Sequence, residues 1–418
     1  MELAANLTLG WQVAAAAGRI GSDRVSASLG RALPATPEAI ADADVLNALL
    51  RAGAPDGVAP LPPLAAVRLP GVVFESSNCQ NFLVELEYAG GAPQVSRSEP
   101  KASEDQQMGL PATAYVKLPC RSLATRVFAN ALGFWALEAT FCRTLAHRMP
   151  IRVPRVYAVA RRGSRFALVL ENLRALPGVQ LFINRDMAAG TTPERAARAL
   201  STLAALHAGF WEWDAPRREA LLPTALHPFL PRRRRAISRA LLAAAIAPCR
   251  SRAPDVFTPE IAALCRRALA RWDDLIAYWY AGPLTLVHGD SHLGNLFEMD
   301  GPDGRRMGML DFQAVHWSKG LRDVQYHLIH SLAPDVLAQH ESDLIDHYVA
   351  ELARRGIALD GQLAREQYRT FSFQTLMTDV VSFAGGLTER EAVVRTVLER
   401  STAAVERLRF REWLEALK

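Results

Sequence analysis

Two aspartates and an asparagine stand at the ends of short apolar strands in the segment LTLVHGDSHLGNLFEMDGPDGRRMGMLDFQ, residues 284–313. A carboxylate in such a place is costly unless something uses it. LTLV reads as a strand ending at His288-Gly289-Asp290. NLFEMDGPDGRRMGMLD reads as a hairpin that turns on Asp300-Gly301 and Asp303-Gly304. A hairpin brings its ends together, so Asn295 and Asp311 are expected side by side, with Asp290 one loop away. An amide oxygen and a carboxylate are hard donors suited to Mg²⁺, which takes phosphate oxygens and water as its other ligands. Asp290 then remains to orient a hydroxyl and take its proton. The stretch reads as a site for metal-assisted phosphoryl transfer.

In one class of nucleotide phosphotransferase a lysine on a strand holds the phosphates and pairs with a glutamate on a helix. Lys117 is the only lysine between Lys101 and Lys319, and it lies mid-strand in AYVKLP. Glu138 is the only acidic residue between Asp105 and Glu171, and it lies on the helix expected next. A lone lysine and a lone glutamate so placed are what a buried ion pair requires. The plainer reading is a surface lysine and a solvated glutamate.

The pattern H-G-D-x-x-x-x-N followed by D-F resembles the signature of the aminoglycoside phosphotransferase and choline kinase superfamily, relatives of protein kinases. With LDFQ and then GLRDVQYHL, the chain looks closest to the ecdysteroid-kinase-like branch. The resemblance implies Asp290 as catalytic base, Asn295 and Asp311 as holders of Mg²⁺, and Asp323 steadying the catalytic loop. It carries the kinase roles onto Lys117 and Glu138. It also implies that the backbone of Glu171 and Leu173, in FALVLENL, meets the adenine of ATP. His288 is expected to brace the loop by hydrogen bonds. One departure stands out. The loop that should cover the phosphates, ESSNCQN, has no glycine, so backbone N–H groups cannot approach closely. Ser76, Ser77 and Asn78 are the side chains that would donate instead. His292, His316, Trp317 and Asp379 are candidates for lining the acceptor pocket, although Trp317 and Tyr326 also read as plain core aromatics. His207 reads as a packing histidine.

These residues need a framework. TPEAIADADVLNALLRAG reads as one capped helix from Thr36 to Gly53, and GVVF (71–74), FLVELEY (82–88) and TAYVKLP (113–119) read as strands. RVFANALGFWALEATFCRTLAHRM reads as one helix with Phe134, Leu137, Phe141 and Leu145 on one face. RVYAVARRGSRFALVLENL reads as a hairpin. Beyond it nearly everything reads as helix apart from the opening segment. The expected architecture is α+β: a bilobal, protein-kinase-like fold with a β-rich N-lobe (36–172), a mostly helical C-lobe (173–418) and an N-terminal extension (1–35).

The totals agree with this. At 418 residues two lobes are expected, and with 50% apolar and 22% charged residues the composition is that of a globular protein. No apolar run approaches the length of a spanning helix, and no basic n-region precedes the N-terminal alanines, so neither membrane insertion nor a signal peptide is expected. Five scattered cysteines without C-x-x-C argue against zinc and disulfides and for the cytoplasm. The dense basic run PRRRR (231–235) comes without a nucleic-acid module. It reads as a solvated helix start, with a patch for an acidic substrate or membrane surface as the alternative. GDSHLGN superficially resembles binuclear phosphoesterases, but no D-x-H precedes it and no His follows Asn295. The reading is an ATP- and Mg²⁺-dependent kinase of a small hydroxyl acceptor, with no nucleic-acid partner. The alternatives are a kinase-shaped binding protein without catalysis, or an aminoglycoside-type antibiotic phosphotransferase. Apolar and aromatic residues in the helical part lean the acceptor toward a hydrophobic alcohol.

Overall fold

The computed structural model describes residues 10, 14–21, 33–71, 73–75, 78–90, 109–301, 304–385 and 391–417. Ser76 and Ser77 lie outside them. Within the N-terminal extension, residues 14–21 are helical.

The single helix expected from Thr36 is two. Thr36 caps α1 (Pro37–Ile40), and the Asp42 carboxylate then accepts from Asp44 and Val45 N–H to start α2 (Ala43–Ala52). A second capping side chain inside the apolar pattern is what splits it. The sheet follows, in the order β1-β3-β4-β6-β5 with β2 on β3: β1 (Leu64–Arg68), β2 (Phe74–Glu75), β3 (Cys79–Tyr88), β4 (Thr113–Pro119), β5 (Val156–Arg162) and β6 (Arg165–Glu171), all antiparallel. The strand read at 71–74 is shorter than expected, beginning only at Phe74.

Alternation on β4 decides the placement of Lys117. Ala114, Val116 and Leu118 point to the face covered by Ile40, Leu46, Leu49 and Leu50 of α1 and α2. Tyr115 and Lys117 therefore point to the other face, where α4 (Phe134–Thr144) lies. This helix was expected to be continuous with the preceding turns, but α3 (Leu123–Leu132) stops at Gly133, whose φ of 77° is left-handed. The helical period runs through the glycine unbroken. What ends the helix is the glycine's freedom at positive φ together with Arg234, whose guanidinium occupies the space a Cβ would need and donates to Ala131 O at 2.8 Å.

After β6 come β7 (Gln180–Leu181), α5 (Asn184–Ala189), α6 (Pro193–Gly209), α7 (Ala215–Leu221), α8 (Arg232–Arg252), α9 (Pro259–Ala270) and α10 (Trp272–Tyr280). The segment first singled out supplies β8 (Thr285–Val287), β9 (Leu296–Gly301) and β10 (Gly304–Met309). β11 (His316–Ser318) pairs with β8, and α11 (Leu321–Ser331), α12 (Pro334–Arg354), α13 (Gly361–Gly385), α14 (Glu391–Arg407) and α15 (Phe410–Ala416) complete the chain. Every residue of α11 is buried, so it is the central helix of this part. All five cysteines are buried, and none is in a disulfide. Among the described residues no helix is long and apolar enough to cross a membrane.

Candidate active site

The hairpin does what its sequence promised. Leu296 faces Met309, and Leu310 N–H donates to Asn295 O at 2.9 Å, which seats Asp311 beside Asn295. Asp311 has φ of 66° without being glycine. That conformation costs on the order of 1–3 kcal/mol and persists where the surroundings enforce it, as at functional sites. Here the next residue enforces it: Phe312 stacks on Phe141 of α4 with ring centroids 3.9 Å apart and planes 6° from parallel. Phe141 lies one turn beyond Glu138, so one stack ties the Asp311 backbone to the Glu138 helix.

Lys117 joins the two. Its Nζ lies 2.5 Å from Glu138 Oε1 and 3.1 Å from Asp311 Oδ1, and both Lys117 and Glu138 are almost fully buried. Burial alone would lower the Lys117 ammonium, but Asp311 and Glu138 outweigh it and hold it well above its ordinary value. Burial pushes the Glu138 carboxyl up, opposed by Lys117.

The loop that begins at His288 is pinned from below. Asp323, fully buried on α11, accepts from His288 N–H at 2.6 Å and Gly289 N–H at 2.9 Å, with His207 Nε2 at 3.4 Å. Burial pulls its carboxyl up, yet the His207 bond and neighbouring positive charge hold it well below the usual range. His207, read as a packing histidine, is bonded on both nitrogens, to Asp323 and to the Tyr348 hydroxyl. Gly289 has φ of 81°, and a Cβ there would sit 2.1 Å from Ala314 O, so only glycine lets the loop approach the chain beyond Asp311. His288 Nδ1 accepts from Asp290 N–H at 3.2 Å, which leaves Nε2–H to donate to Leu310 O at 3.0 Å.

Asp290 emerges with both oxygens engaged. Tyr326 O–H donates to Oδ1 at 2.9 Å and Asn295 Nδ2 to Oδ2 at 3.0 Å. Burial pulls this carboxyl up, but His292, His288 and the Tyr326 hydroxyl leave it lower than usual. Asn295 Nδ2 also donates to Asp290 O at 2.8 Å, so its Oδ1 faces away as a free acceptor. Asp311 likewise has one oxygen on Lys117 and one unclaimed. Two hard oxygens without protein partners fit Mg²⁺, which needs few protein ligands. Among the described residues no group of three His, Cys, Asp or Glu could hold a metal ion.

Asp290 opens on a cavity of about 360 Å³. Phe128, Leu132, Phe229, Leu241, Met377 and Val394 are among its apolar walls, and His292, His316, His330, Arg322, Arg234 and Asp379 among its polar ones. Burial pushes His316 down to about 4 and lowers His292 as well. Asp379 has both oxygens 3.0 Å from His330 Nε2. Trp317, proposed as lining from sequence, does not line this cavity. Alternation on β11 turns it the opposite way from His316, into Phe210 and Trp213, with its N–H on Leu222 O. The basic run is not simply solvated either: Arg232 and Arg233 are exposed, whereas Arg234 enters the cavity wall and Arg235 pairs with Asp273.

Asn78, expected to donate to phosphate, donates instead to Gln313 Oε1 at 2.7 Å. The Glu171 N–H is taken by Arg155 O, and its carboxylate by Arg152 and the Arg155 N–H. Leu173 begins a short 3₁₀ turn and is buried. The residue that sequence reasoning missed is Tyr326. On α11, Asp323, Tyr326, His327 and His330 recur at i, i+3, i+4 and i+7, a polar stripe on a wholly buried helix, and that stripe was the available signal.

The profile of the ecdysteroid kinase-like family matches residues 150–359, half of the chain. No curated protein matches. Among solved structures the chain is similar to the choline kinase LicA from Streptococcus pneumoniae, at 9% identity over 82% of this chain and 94% of that one with a TM-score of 0.43. It is similar to a Plasmodium vivax ethanolamine kinase, at 10% identity over 83% of each chain and a TM-score of 0.45. A third is aminoglycoside 2′-phosphotransferase-IIIa in its GDP complex, at 13% identity over 87% of this chain and 99% of that one, TM-score 0.45. Likenesses this remote transfer no substrate. The fold is α+β, an antiparallel sheet in the first part of the chain and mostly helices beyond it, and the chain belongs to the ecdysteroid kinase-like family.

Proposed function

We propose that this protein transfers the γ-phosphoryl group of ATP to a hydroxyl of a neutral, largely apolar small molecule. The supporting observation is the Asp290 carboxylate, held on both oxygens, facing an apolar cavity beside the Lys117–Asp311 pair. Residues 36–172 would form the nucleotide-holding lobe and 173–418 the lobe of the catalytic loop and acceptor cavity. Lys117 would hold the nucleotide phosphates, while Asn295 and Asp311 would hold Mg²⁺, whose charge would offset that of the phosphates. The acceptor oxygen would bond to the γ-phosphorus as the bond to the β–γ bridging oxygen breaks. ADP would leave with that electron pair, and the hydroxyl proton would pass to Asp290. Positioning and fixed charge would supply most of the rate.

The cavity favours a neutral acceptor over a cationic one such as choline or an aminoglycoside. Among the described residues only two carboxylates line it, Asp290 and Asp379. The second is occupied by His330, and Arg234 and Arg322 line the same space. A polycation would meet more positive than free negative charge there. The test is transfer of labelled γ-phosphate from ATP to a panel of an ecdysteroid, 1-decanol, choline and an aminoglycoside. Transfer to the apolar alcohols supports the reading. Transfer confined to the cationic pair contradicts the acceptor class, and no transfer to any of them favours a kinase-shaped binding protein.

A further inference from the structure

We propose that Tyr326 is a positioning residue that fixes the rotamer of Asp290 and thereby the carboxylate oxygen offered to the acceptor hydroxyl. This rests on the reading of Asp290 as the base. The terminal torsion of an aspartate is broad and roughly two-fold, so a carboxylate that must face one way needs external pins. Asp290 has one on each oxygen: Asn295 Nδ2 on Oδ2 at 3.0 Å and the Tyr326 hydroxyl on Oδ1 at 2.9 Å. The Asn295 pin belongs to a residue with a second duty, because its other amide atom is the free acceptor suited to Mg²⁺. Tyr326 is the pin without another claim on it.

Tyr326 is itself immobilised. Only 4% of it is exposed. The Arg322 guanidinium lies over its ring at 4.3 Å, and that guanidinium is anchored to Gly289 O at 2.8 Å. The His330 ring packs edge-on at 4.1 Å, and Asp379 holds His330 by both carboxylate oxygens. One turn of helix fixes the register, since the neighbouring His327 bonds to Ser291 O at 2.8 Å. The hydroxyl therefore cannot leave Asp290 without a shift of α11, and the same side chain lines the acceptor cavity. The acceptor oxygen would thus reach Asp290 next to a fixed phenol.

The test is Tyr326→Phe in the full-length protein, which keeps the ring and its packing and removes only the donor. With ATP, Mg²⁺ and the panel alcohol of highest wild-type turnover, kcat should fall about 10–100-fold, the scale expected for a misplaced reacting group. KM for ATP should stay within about twofold, a split that general loosening of the site would not produce. An Asp290→Asn/Tyr326→Phe double variant should be no slower than Asp290→Asn alone, because a residue acting through Asp290 has nothing left to position. This comparison holds even where the single variant loses some stability. Unchanged kcat in Tyr326→Phe, or a further independent loss in the double variant, overturns the positioning role and leaves the phosphotransferase reading intact. Absence of wild-type transfer to every panel member overturns both.

Discussion

Lys117→Met removes a cation from a pocket where Glu138 cannot reach water. The Lys117 and Glu138 side chains are 7% and 4% exposed, and Glu138 Oε2 already has no partner. With the ammonium gone, the buried carboxylate would take up a proton rather than remain charged. Holding it neutral costs about 1.4 kcal/mol for each pH unit above its ordinary 4.5. Wild type already bears this cost up to about pH 7, where its own raised Glu138 ionises beside Lys117, so the extra penalty in the variant is close to nil at pH 5.5 and about 3 kcal/mol at pH 9. The sign follows from the raised folded-state value: the variant loses stability relative to wild type as pH rises above about 7. For a chain of 418 residues each kcal/mol corresponds to about 1 °C in Tm, so the variant should melt about 3 °C below wild type at pH 9 and together with it at pH 5.5. Lys117→Met/Glu138→Leu should recover most of the loss at pH 9, since it removes the orphaned group, while failing to restore nucleotide binding. Differential scanning fluorimetry at the two pH values reads both effects. An equal loss at pH 5.5 and 9, or no recovery in the double variant, would refute the buried pair as the basis of the Lys117 site.

Other consequences follow from the same geometry. Asp290→Asn keeps the shape of the loop and should lower kcat by roughly 10²–10⁴-fold with KM for ATP unchanged, as steady-state kinetics would show; retained turnover contradicts the base role. Acid should destabilise the protein between pH 6.5 and about 4. Burial holds His316 and His327 near 4 and His227 well below 6.5, so the unfolded chain takes up these protons first. Glu138, raised to about 7, works in the opposite direction and offsets one of them. Urea titrations at pH 6 and 5 should differ by about 2–3 kcal/mol, and equal stabilities would contradict neutral burial of these rings. Phe141→Ala should cost about 3–5 kcal/mol by urea titration and raise KM for ATP, because the stack on Phe312 links Asp311 to the Glu138 helix. An unchanged KM would show that the stack serves packing alone.

The polar residues were legible because they sit where physics makes them conspicuous. Asp290, Asn295 and Asp311 interrupt apolar strands at a turn, and Lys117 and Glu138 are isolated charges in apolar elements. The hairpin then dictated that Asn295 and Asp311 meet. What escaped depends on contacts remote in sequence. Gly133 lies in an unbroken helical period, and its role as a stop emerges only with Arg234 beside it. Asp42 splits a helix because its own carboxylate outcompetes continuation. Trp317 and His316 are neighbours on a strand too short to show alternation, so only the sheet reveals which one faces the cavity. Tyr326 read as core because its ring taken alone is apolar, and only together with Asp323, His327 and His330 does it mark a polar stripe on a buried helix. Asn78 turned from a phosphate donor into a partner of Gln313, a pairing across 235 positions of chain that no local pattern announces.

The most direct test of the central claim is thermal unfolding with ATP alone, with ATP plus Mg²⁺, and with both in an Asp311→Ala variant. A ligand at about 100 times its Kd stabilises the folded state by about 2.7 kcal/mol, which for this chain is a rise of about 3 °C. The account predicts that rise in wild type only when magnesium is present, and its loss in Asp311→Ala. No shift at millimolar nucleotide, or a shift that ignores both magnesium and Asp311, would contradict it.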